Sequence, residues 1–360
     1  MTERPKPVPL VPPPLSGECL GSWLSRVATV YDVSVADLLR HCGVEHRGAN
    51  SAGIKLAALP PATLHVLAVR LRTATDRLQC MNACVWTVTL PASELGFCPQ
   101  CLWEDDVQAR PAHWRHAWLD AFSTACVRHR APLLAVRADT LARARNWGRL
   151  RILLEAPLLR CEGSDSHGGF AFRALPLQFA VLDKMPKEEM RQRYALGSSA
   201  QVRQVATDLL DVLLAPDRYL RHGSPLVRIA CLQGHNEWLS HLTVLGKSKN
   251  RLISRVKIFA ARCFALAIVE SLMFQSAHAF AQGTGALLSP QAIREDWLWA
   301  LMPTTTQLRL HRLSQSWPQG YAARCWPELN DTAKPNVLRR AKTFRFPIDS
   351  TRMIHETSHP

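Results

Sequence analysis

Apolar residues recur with helical spacing along most of the chain. The first such stripe, at positions i, i+3, i+4 and i+7, consists of Leu20, Trp23, Leu24 and Val27. One face of an α-helix buries residues at this spacing, so we predict a helix here, with Ser16 as its cap. A second helix is predicted from the capping-box-like Ser34-x-x-Asp37 to Gly43, a residue type that commonly ends helices.

A similar pair of helices is predicted after Pro60-Pro61. Its stripe consists of Leu64, Leu67, Ala68 and Leu71. Thr73-x-x-Asp76 then predicts another short helix. Two helices joined by a tight turn form a helix-turn-helix unit, which many proteins use to bind DNA, although helical hairpins also serve simply to build a core.

The later chain predicts a mainly α protein with several parts. Helical stripes cover residues 202–213 and 251–273, and the Gly/Ser-rich stretch 161–169 indicates a domain boundary. The predicted order is a solvated Pro-rich lead (1–14), a helical helix-turn-helix domain (15–95), a zinc-ribbon or treble-clef-like module with an Arg-rich extension (96–160), a helical C-terminal domain (170–346) and a tail (347–360).

Composition and charge narrow the classes of protein. The chain has 360 residues, 47% of them hydrophobic and 20% charged, which is typical of a folded protein. A net charge of +15 attracts polyanions, so nucleic acid is the expected partner. The most apolar run, residues 258–269, contains Arg262 and is shorter than the roughly 20 residues that a bilayer requires. Without an export signal, eleven cysteines favour a cytoplasmic location and metal binding over disulfides.

Three basic stretches are candidates for nucleic-acid contact. Their members are Arg128, Arg130, Arg137, Arg143, Arg145, Arg149, Arg151, Lys247, Lys249, Arg251, Arg339, Arg340 and Lys342. In the first stretch seven arginines accompany one acid, Asp139, and Trp147 is the aromatic residue that could stack on a base. Alternatively, these arginines form a basic surface that contacts only solvent.

The strongest chemical signal is a pair of metal-ligand motifs. Cys98-Pro99-Gln100-Cys101 precedes Cys126-x-x-His129, and the two inner cysteines are 25 positions apart. Three thiolates and one imidazole make a closed tetrahedral zinc site, whereas a catalytic zinc keeps a position for water. We therefore predict one structural Zn²⁺, held by Cys98, Cys101, Cys126 and His129 and packed against a helix that starts near Trp114.

Two alternatives to this ligand set remain open. His113 or His116 could replace His129, and a catalytic zinc with an acid of residues 104–106 as the base is conceivable. Other enzyme signals are weak: Gly246-Lys247-Ser248 resembles the end of a P-loop, but His241 stands where that loop needs glycine. The sequence therefore predicts a protein that is not an enzyme.

The chain resembles the TniQ family, the target-selection proteins of transposons related to the TnsD group. The resemblance rests on the Pro-rich entry, Ser16-Gly17-Glu18, Ser22-Trp23-Leu24 with Arg26, and the Cys-Pro-x-Cys-Leu knuckle followed by Trp, Cys126-x-x-His129 and Pro132-Leu133. Longer members carry a second Cys-rich knuckle, where this chain has only Cys161. A weaker similarity covers Ser316 to Tyr321.

This resemblance implies a non-catalytic adaptor, which acts in many cases as a homodimer. It would link target DNA, or a Cascade-like CRISPR effector with its guide RNA, to an AAA+ transposition ATPase. Trp23 and Arg26 would then face a protein partner. Two other readings remain: a zinc-containing helix-turn-helix transcription regulator, and a zinc-dependent nuclease.

Overall fold

The computed structural model describes residues 7–44, 59–83, 94–137, 140, 143–158, 165–215, 224–232, 259–281 and 304–326. Within these ranges the fold is mainly helical, as predicted, with a single two-stranded sheet. The first helices and strands are α1 (Leu20–Val30), α2 (Val35–His41), α3 (Pro61–Arg70), α4 (Thr75–Ala83), β1 (Glu94–Phe97), α5 (Pro99–Val107) and β2 (Leu134–Arg137). The later helices are α6 (Trp147–Leu158), α7 (Asp165–Val181), α8 (Lys187–Tyr194), α9 (Ser199–Leu213), α10 (Pro225–Leu232), α11 (Phe259–Ala281), α12 (Thr304–Ser314) and α13 (Tyr321–Cys325).

Helices α1 to α4 form two helical pairs around a common apolar core. The predicted stripes of α1 and α3 face this core. Ser34 caps α2 as expected, because its hydroxyl accepts from the Asp37 amide at 3.1 Å, and Gly43 follows α2 with a positive φ of 77°. The predicted cap of α1 was wrong, because the helix begins at Leu20 and its N-cap residue is Cys19 and not Ser16. DNA binding by these pairs stays a prediction.

The described part of the Pro-rich lead, residues 7–14, packs on the helical pairs, and for this part the expectation of a solvated segment was wrong. Three of its carbonyls accept from side chains of the helices: Pro12 from Trp23 Nε1 at 2.8 Å, Pro13 from Arg26 at 2.8 Å and Pro14 from Arg77 at 2.6 Å. At its start, the Val8 amide donates to the Arg70 carbonyl at 3.0 Å. Proline leaves its carbonyl free to accept, so a proline-rich segment is well suited to being held in this way.

The metal-ligand motifs lie between two strands that the sequence did not reveal. β1 and β2 pair antiparallel, from Glu94 opposite Arg137 to Phe97 opposite Leu134. Four-residue strands are too short to give a clear alternating pattern. Gly96 is required at its position, because a Cβ there would lie 2.9 Å from the Phe259 ring of α11. The sheet is thereby packed closely against the C-terminal helices.

The predicted helix after Trp114 was also wrong. Only a short 3₁₀ turn, His116–Leu119, forms in this segment, and Trp114 lies in extended backbone before it. The predicted packing is nevertheless present: the Trp114 ring lies 5.8 Å from Phe97 and 5.9 Å from Trp118, measured between ring centroids. The buried indoles of Trp114 and Trp118, and not the apolar face of a helix, therefore support the Cys98–Cys101 motif.

The C-terminal helices form the largest apolar core of the described residues. The periodic stretch 202–213 lies in α9, with its stripe fully buried, and α11 contains the apolar run from Phe259 onward. Helix α7 starts at Asp165 and therefore runs through the second half of the predicted 161–169 break. The domain limits stay predictions. None of the helices in the described ranges is long and apolar enough to cross a membrane.

One buried amide ties the C-terminal helices to the loop that carries Cys126. The Oε1 atom of Gln178 on α7 accepts from the Thr124 and Ala125 amides at 2.9 and 3.0 Å, and its Nε2 donates to the Ala125 carbonyl at 2.7 Å. The side chain thus pairs with the loop as a neighbouring strand would. This pairing fixes the loop in front of Cys126.

Candidate metal centre

The four predicted ligands come together at one point. The Sγ atoms of the three cysteines and a ring nitrogen of His129 all lie within 4.8 Å of one another. His129 Nδ1 is 3.3 Å from Cys98 Sγ, 3.4 Å from Cys101 Sγ and 3.6 Å from Cys126 Sγ, and the Cys101 and Cys126 sulfurs are 3.6 Å apart. The three thiols are buried and His129 is half-buried. The predicted ligand set is therefore assembled in the folded chain.

Local backbone structure explains why the two motifs converge. Cys98 is the N-cap residue of α5, and Pro99 occupies a first-turn position, where its missing amide costs no hydrogen bond. This helix start turns the Cys101 sulfur back towards Cys98. In the second motif, the Cys126 carbonyl accepts from the Arg130 amide at 2.7 Å, and the Cys126 amide donates to Ala131 at 2.7 Å. That tight turn brings His129 over the sulfurs.

The arrangement fits a tetrahedral metal ion. With a Zn–S bond of about 2.3 Å and a Zn–N bond of about 2.0–2.1 Å, the edges of a tetrahedral site measure about 3.5–3.8 Å. Four of the six ligand separations, at 3.3 to 3.6 Å, lie close to these edges, and all six are within 4.8 Å. All four corners would be protein atoms, so the site would hold a shape and leave no position for a reacting water.

Glu104 orients the histidine. Its Oε1 atom is 2.8 Å from His129 Nε2, the ring nitrogen that points away from the sulfurs, and its Oε2 atom pairs with Arg128 at 2.7 Å. A carboxylate in this place fixes the tautomer of a ligating imidazole and increases its basicity. The hydrogen bond with His129 keeps the pKa of Glu104 below its ordinary value. One turn of α5 thus supplies both a ligand, Cys101, and the support of another.

The thiols themselves require a cation to ionise together. Contacts with Cys126 and Cys98, together with burial, raise the pKa of Cys101, while hydrogen bonds with Cys101 and Cys98 lower the pKa of Cys126. The pKa of Cys98 is raised to about 11, because its contact with Cys126 and burial outweigh the opposing hydrogen bond with Cys101. The adjacent thiols thus disfavour one another's ionisation. A divalent ion would remove this conflict.

The alternative ligands His113 and His116 and the acids Asp105 and Asp106 have other partners, whereas Glu104 supports His129. His113 Nδ1 lies 3.4 Å from Asp105 and 3.2 Å from the Pro111 carbonyl, and His116 Nδ1 lies 2.9 Å from the Gly17 carbonyl. Asp105 is buried and accepts from Arg115 at 3.0 Å, and Asp106 pairs with Arg151. Neither histidine belongs to the four-ligand cluster.

Trp23 and Arg26, the predicted partner contacts, lie inside the fold. Trp23 has no exposed surface. Arg26 is 6% exposed, and its Nε and Nη2 atoms both donate to Glu18 at 2.7 Å. Glu18 also accepts from Ser22 at 3.0 Å, and Ser22 in turn accepts from the Trp114 amide at 2.9 Å. Trp23 thus joins α1 to the lead, and Arg26 joins both, through Glu18 and Ser22, to the segment around Trp114. The expectation that these two side chains face a partner was wrong, because both are buried.

This buried network was missed at the sequence level, although a signal was present. Glu18, Ser22 and Arg26 are spaced four residues apart. Ser22 and Arg26 therefore share one face of α1, and Glu18, just before the helix, is the counter-ion of Arg26. An acid and an arginine eight residues apart, with Trp23 between them, indicated an internal pair.

The described arginines of the first basic stretch differ in their surroundings. Arg143, Arg145 and Arg149 are exposed. Arg128 and Arg151 are paired with Glu104 and Asp106, and the Arg130 guanidinium lies 5.8 Å from the Phe179 ring centroid.

The other residues predicted to contact nucleic acid fall into three groups. Trp147 is 5% exposed and packs on Trp114, so it cannot stack on a base. Arg137 is part of β2. Lys247, Lys249, Arg251, Arg339, Arg340 and Lys342 lie outside the described residues.

Comparison with known families and proteins yields one match. Residues 9–133 match the model of the TniQ family. No curated protein and no solved structure matches the chain. The matched segment contains the packed part of the Pro-rich lead, both helical pairs, β1 and all four metal-ligand residues, and it ends directly before β2. The resemblance noted from the motifs is thereby confirmed, and the chain carries a TniQ domain, which associates it with transposition.

Proposed function

We propose that this protein selects targets for transposition as a non-catalytic adaptor. It would link target DNA, or an RNA-guided Cascade-like effector complex, to an AAA+ transposition ATPase. The observation that carries the proposal is the TniQ match over residues 9–133. The closed Cys₃His cluster agrees with it, because such a cluster stabilises a fold and offers no open coordination position for chemistry.

The metal in this proposal is one structural Zn²⁺. Three thiolates and an imidazole are a ligand set that selects zinc among the divalent ions available to proteins, and the four separations suit its tetrahedral geometry. Its role would be to hold α5, the Cys126 loop and β1 together. The surfaces around the cluster would then contact the partners.

The nucleic-acid side of the adaptor is assigned to the exposed arginines. The net charge of +15 favours a polyanion, and Arg143, Arg145 and Arg149 are exposed beside the metal-binding module. Contacts of this kind give affinity without base specificity, so the choice of target would depend on further contacts or on a guide RNA.

A transposition assay tests this proposal directly. The chain is expressed with an AAA+ transposition ATPase, a transposase and a marked donor, and the insertion sites are sequenced. We expect insertions to cluster at one site with the chain and to scatter or disappear without it. Unchanged insertion sites in its absence would refute the proposal, and tight binding to a single operator without the ATPase would support a transcription regulator instead.

A further inference from the structure

An exposed aromatic residue lies outside the basic stretches. Trp103 on α5 is 65% exposed, although tryptophan is usually among the most buried residue types. Val107, one turn later on the same face of α5, is 64% exposed. The chain therefore presents an indole to solvent from the helix that also supplies Cys101 and Glu104.

Two arginines flank this face. In a helix successive residues are rotated by about 100°, so Glu104 and Asp106 lie on opposite sides of Trp103. Glu104 pairs with Arg128 at 2.7 Å, and Asp106 pairs with Arg151. Each carboxylate thereby pairs with one guanidinium on its own side of the helix. In the helical rotation, the exposed indole of Trp103 lies between these two surface ion pairs.

The acidic residues of α5 do not prevent an anion from binding. Each of the three has a cationic partner: Glu104 has Arg128, Asp105 has Arg115 at 3.0 Å, and Asp106 has Arg151. Guanidinium groups that are paired at a partly exposed position can exchange a carboxylate for a phosphate, which they bind with the same fork geometry. The exposed Arg145 and Arg149 add positive charge close to Arg151 in the chain.

The size of the surface indicates what it binds. A stable protein interface buries about 800 Å² on each partner, and one indole with a neighbouring valine offers much less, even when the exposed Ile152 next to Arg151 is added. A single nucleobase, in contrast, covers one indole, and its flanking phosphates suit two guanidinium groups. We propose that Trp103 is a stacking platform for an unpaired nucleobase, with Arg128 and Arg151 holding the adjacent phosphates. This inference rests on the nucleic-acid role proposed above and names its contact.

A binding experiment with the full chain tests this inference. Fluorescence polarisation measures the affinity for a labelled 12-nucleotide strand of DNA, the same strand of RNA, and the DNA duplex. The variants are Trp103→Ala, which removes the ring, and Trp103→Phe, which keeps an aromatic face. Val69→Ala is the matched control, because Val69 is 57% exposed on α3, away from the metal-binding module. Metal content confirms that each variant keeps its fold.

The expected result is a loss for the single strands alone. Removing a stacking side chain lowers affinity about 5- to 100-fold, so Trp103→Ala should weaken single-strand binding by that factor, whereas Trp103→Phe should stay within about 3-fold of the original. Binding to the duplex and binding by Val69→Ala should change by less than about 2-fold. A loss for RNA only, or for DNA only, would identify the strand that supplies the base.

Two further results would overturn the inference in different ways. If the original chain binds the strands and Trp103→Ala binds them equally well, the stacking platform is refuted while the nucleic-acid role stands. The same conclusion follows if Trp103→Phe loses as much affinity as Trp103→Ala. If the original chain binds none of the three nucleic acids, the proposed role and the platform both fail.

Discussion

The TniQ domain contains two buried polar centres that are stabilised in different ways. At the Cys₃His cluster, three thiols and a histidine converge, and contacts with Cys126 and Cys98, together with burial, raise the pKa of Cys101 in spite of the opposing effect of Arg115. At the Glu18–Arg26 pair, the carboxylate receives two hydrogen bonds from its own guanidinium and further ones from Ser22 and the Leu15 amide. The Cys₃His cluster therefore requires a metal cation from solution, whereas the Glu18 carboxylate has the Arg26 guanidinium as its counter-ion.

This difference distinguishes the residues of a family motif that contact partners from those that stabilise the fold. Trp23 and Arg26 resemble exposed recognition residues in the sequence, because tryptophan and arginine dominate binding hot spots. In the structure both donate to the carbonyls of the Pro-rich lead. The Trp114 amide, which donates to Ser22, connects the same network to the metal-binding segment. The motif at the start of the TniQ domain therefore has a structural role.

The largest effect is expected from removal of a metal ligand. Cys126→Ser leaves three ligands in the cluster, so we expect loss of the bound metal and a loss of several kcal/mol of unfolding free energy. Elemental analysis and thermal unfolding measure the two effects. Cys80→Ser, at an exposed position on α4, is the control and should change neither. A variant Cys126→Ser that keeps both its metal and its stability would show that the cluster is not a metal site.

The next largest effect is expected at the internal pair. Arg26→Met leaves Glu18 buried without its counter-ion, which costs about 3–5 kcal/mol of unfolding free energy. The double variant Glu18→Gln, Arg26→Met removes both charges and should lose less than the single variant. Chemical denaturation measures both. A double variant that is less stable than Arg26→Met would contradict the account of a self-contained pair.

A smaller effect is expected at the support of the histidine. Glu104→Gln removes the charge that faces His129 Nε2, and loss of such a partner lowers metal affinity about 10- to 100-fold. Competition with a chelator measures this affinity. The stability of the metal-loaded chain should change little, because Glu104 lies at the surface of α5. Equal affinities in the two proteins would show that the hydrogen bond does not tune the metal site.

The smallest effect is expected at an exposed helix cap. Its loss of unfolding free energy is the reference for the losses at the two buried centres. Ser34→Ala removes the acceptor of the Asp37 amide and should cost about 1 kcal/mol of unfolding free energy. Denaturation of this variant, with metal content as the control, provides the comparison. A loss as large as that of Arg26→Met would mean that the buried pair is no more important than a surface cap.

Local and repeated signals were predictable from the sequence. The stripes of α1, α3 and α9, the Ser34 cap and the four metal ligands all follow from spacing, because helix periodicity and ligand geometry are short-range constraints. The ligand set was a stronger signal than either half alone, since two motifs had to occur together. All four residues come together in the cluster, and their binding of a metal ion stays a prediction.

The remaining features depend on contacts between distant segments. β1 and β2 are four residues each and pair across the whole metal-binding loop, so neither strand has a local pattern. The lead is held by donors from Trp23, Arg26 and Arg77, which only folding brings to it. Exposure is likewise a property of the folded chain: Trp147 is buried and Trp103 is not, although both are tryptophans among charged residues.

The central claim is that Cys98, Cys101, Cys126 and His129 hold one zinc ion in a closed tetrahedral site. Elemental analysis combined with X-ray absorption at the zinc edge of the purified chain tests it most directly. We predict one zinc per chain, with three sulfurs at about 2.3 Å and one nitrogen at about 2.0–2.1 Å. A chain without zinc, or a zinc with an oxygen ligand and fewer than three sulfurs, would contradict the account.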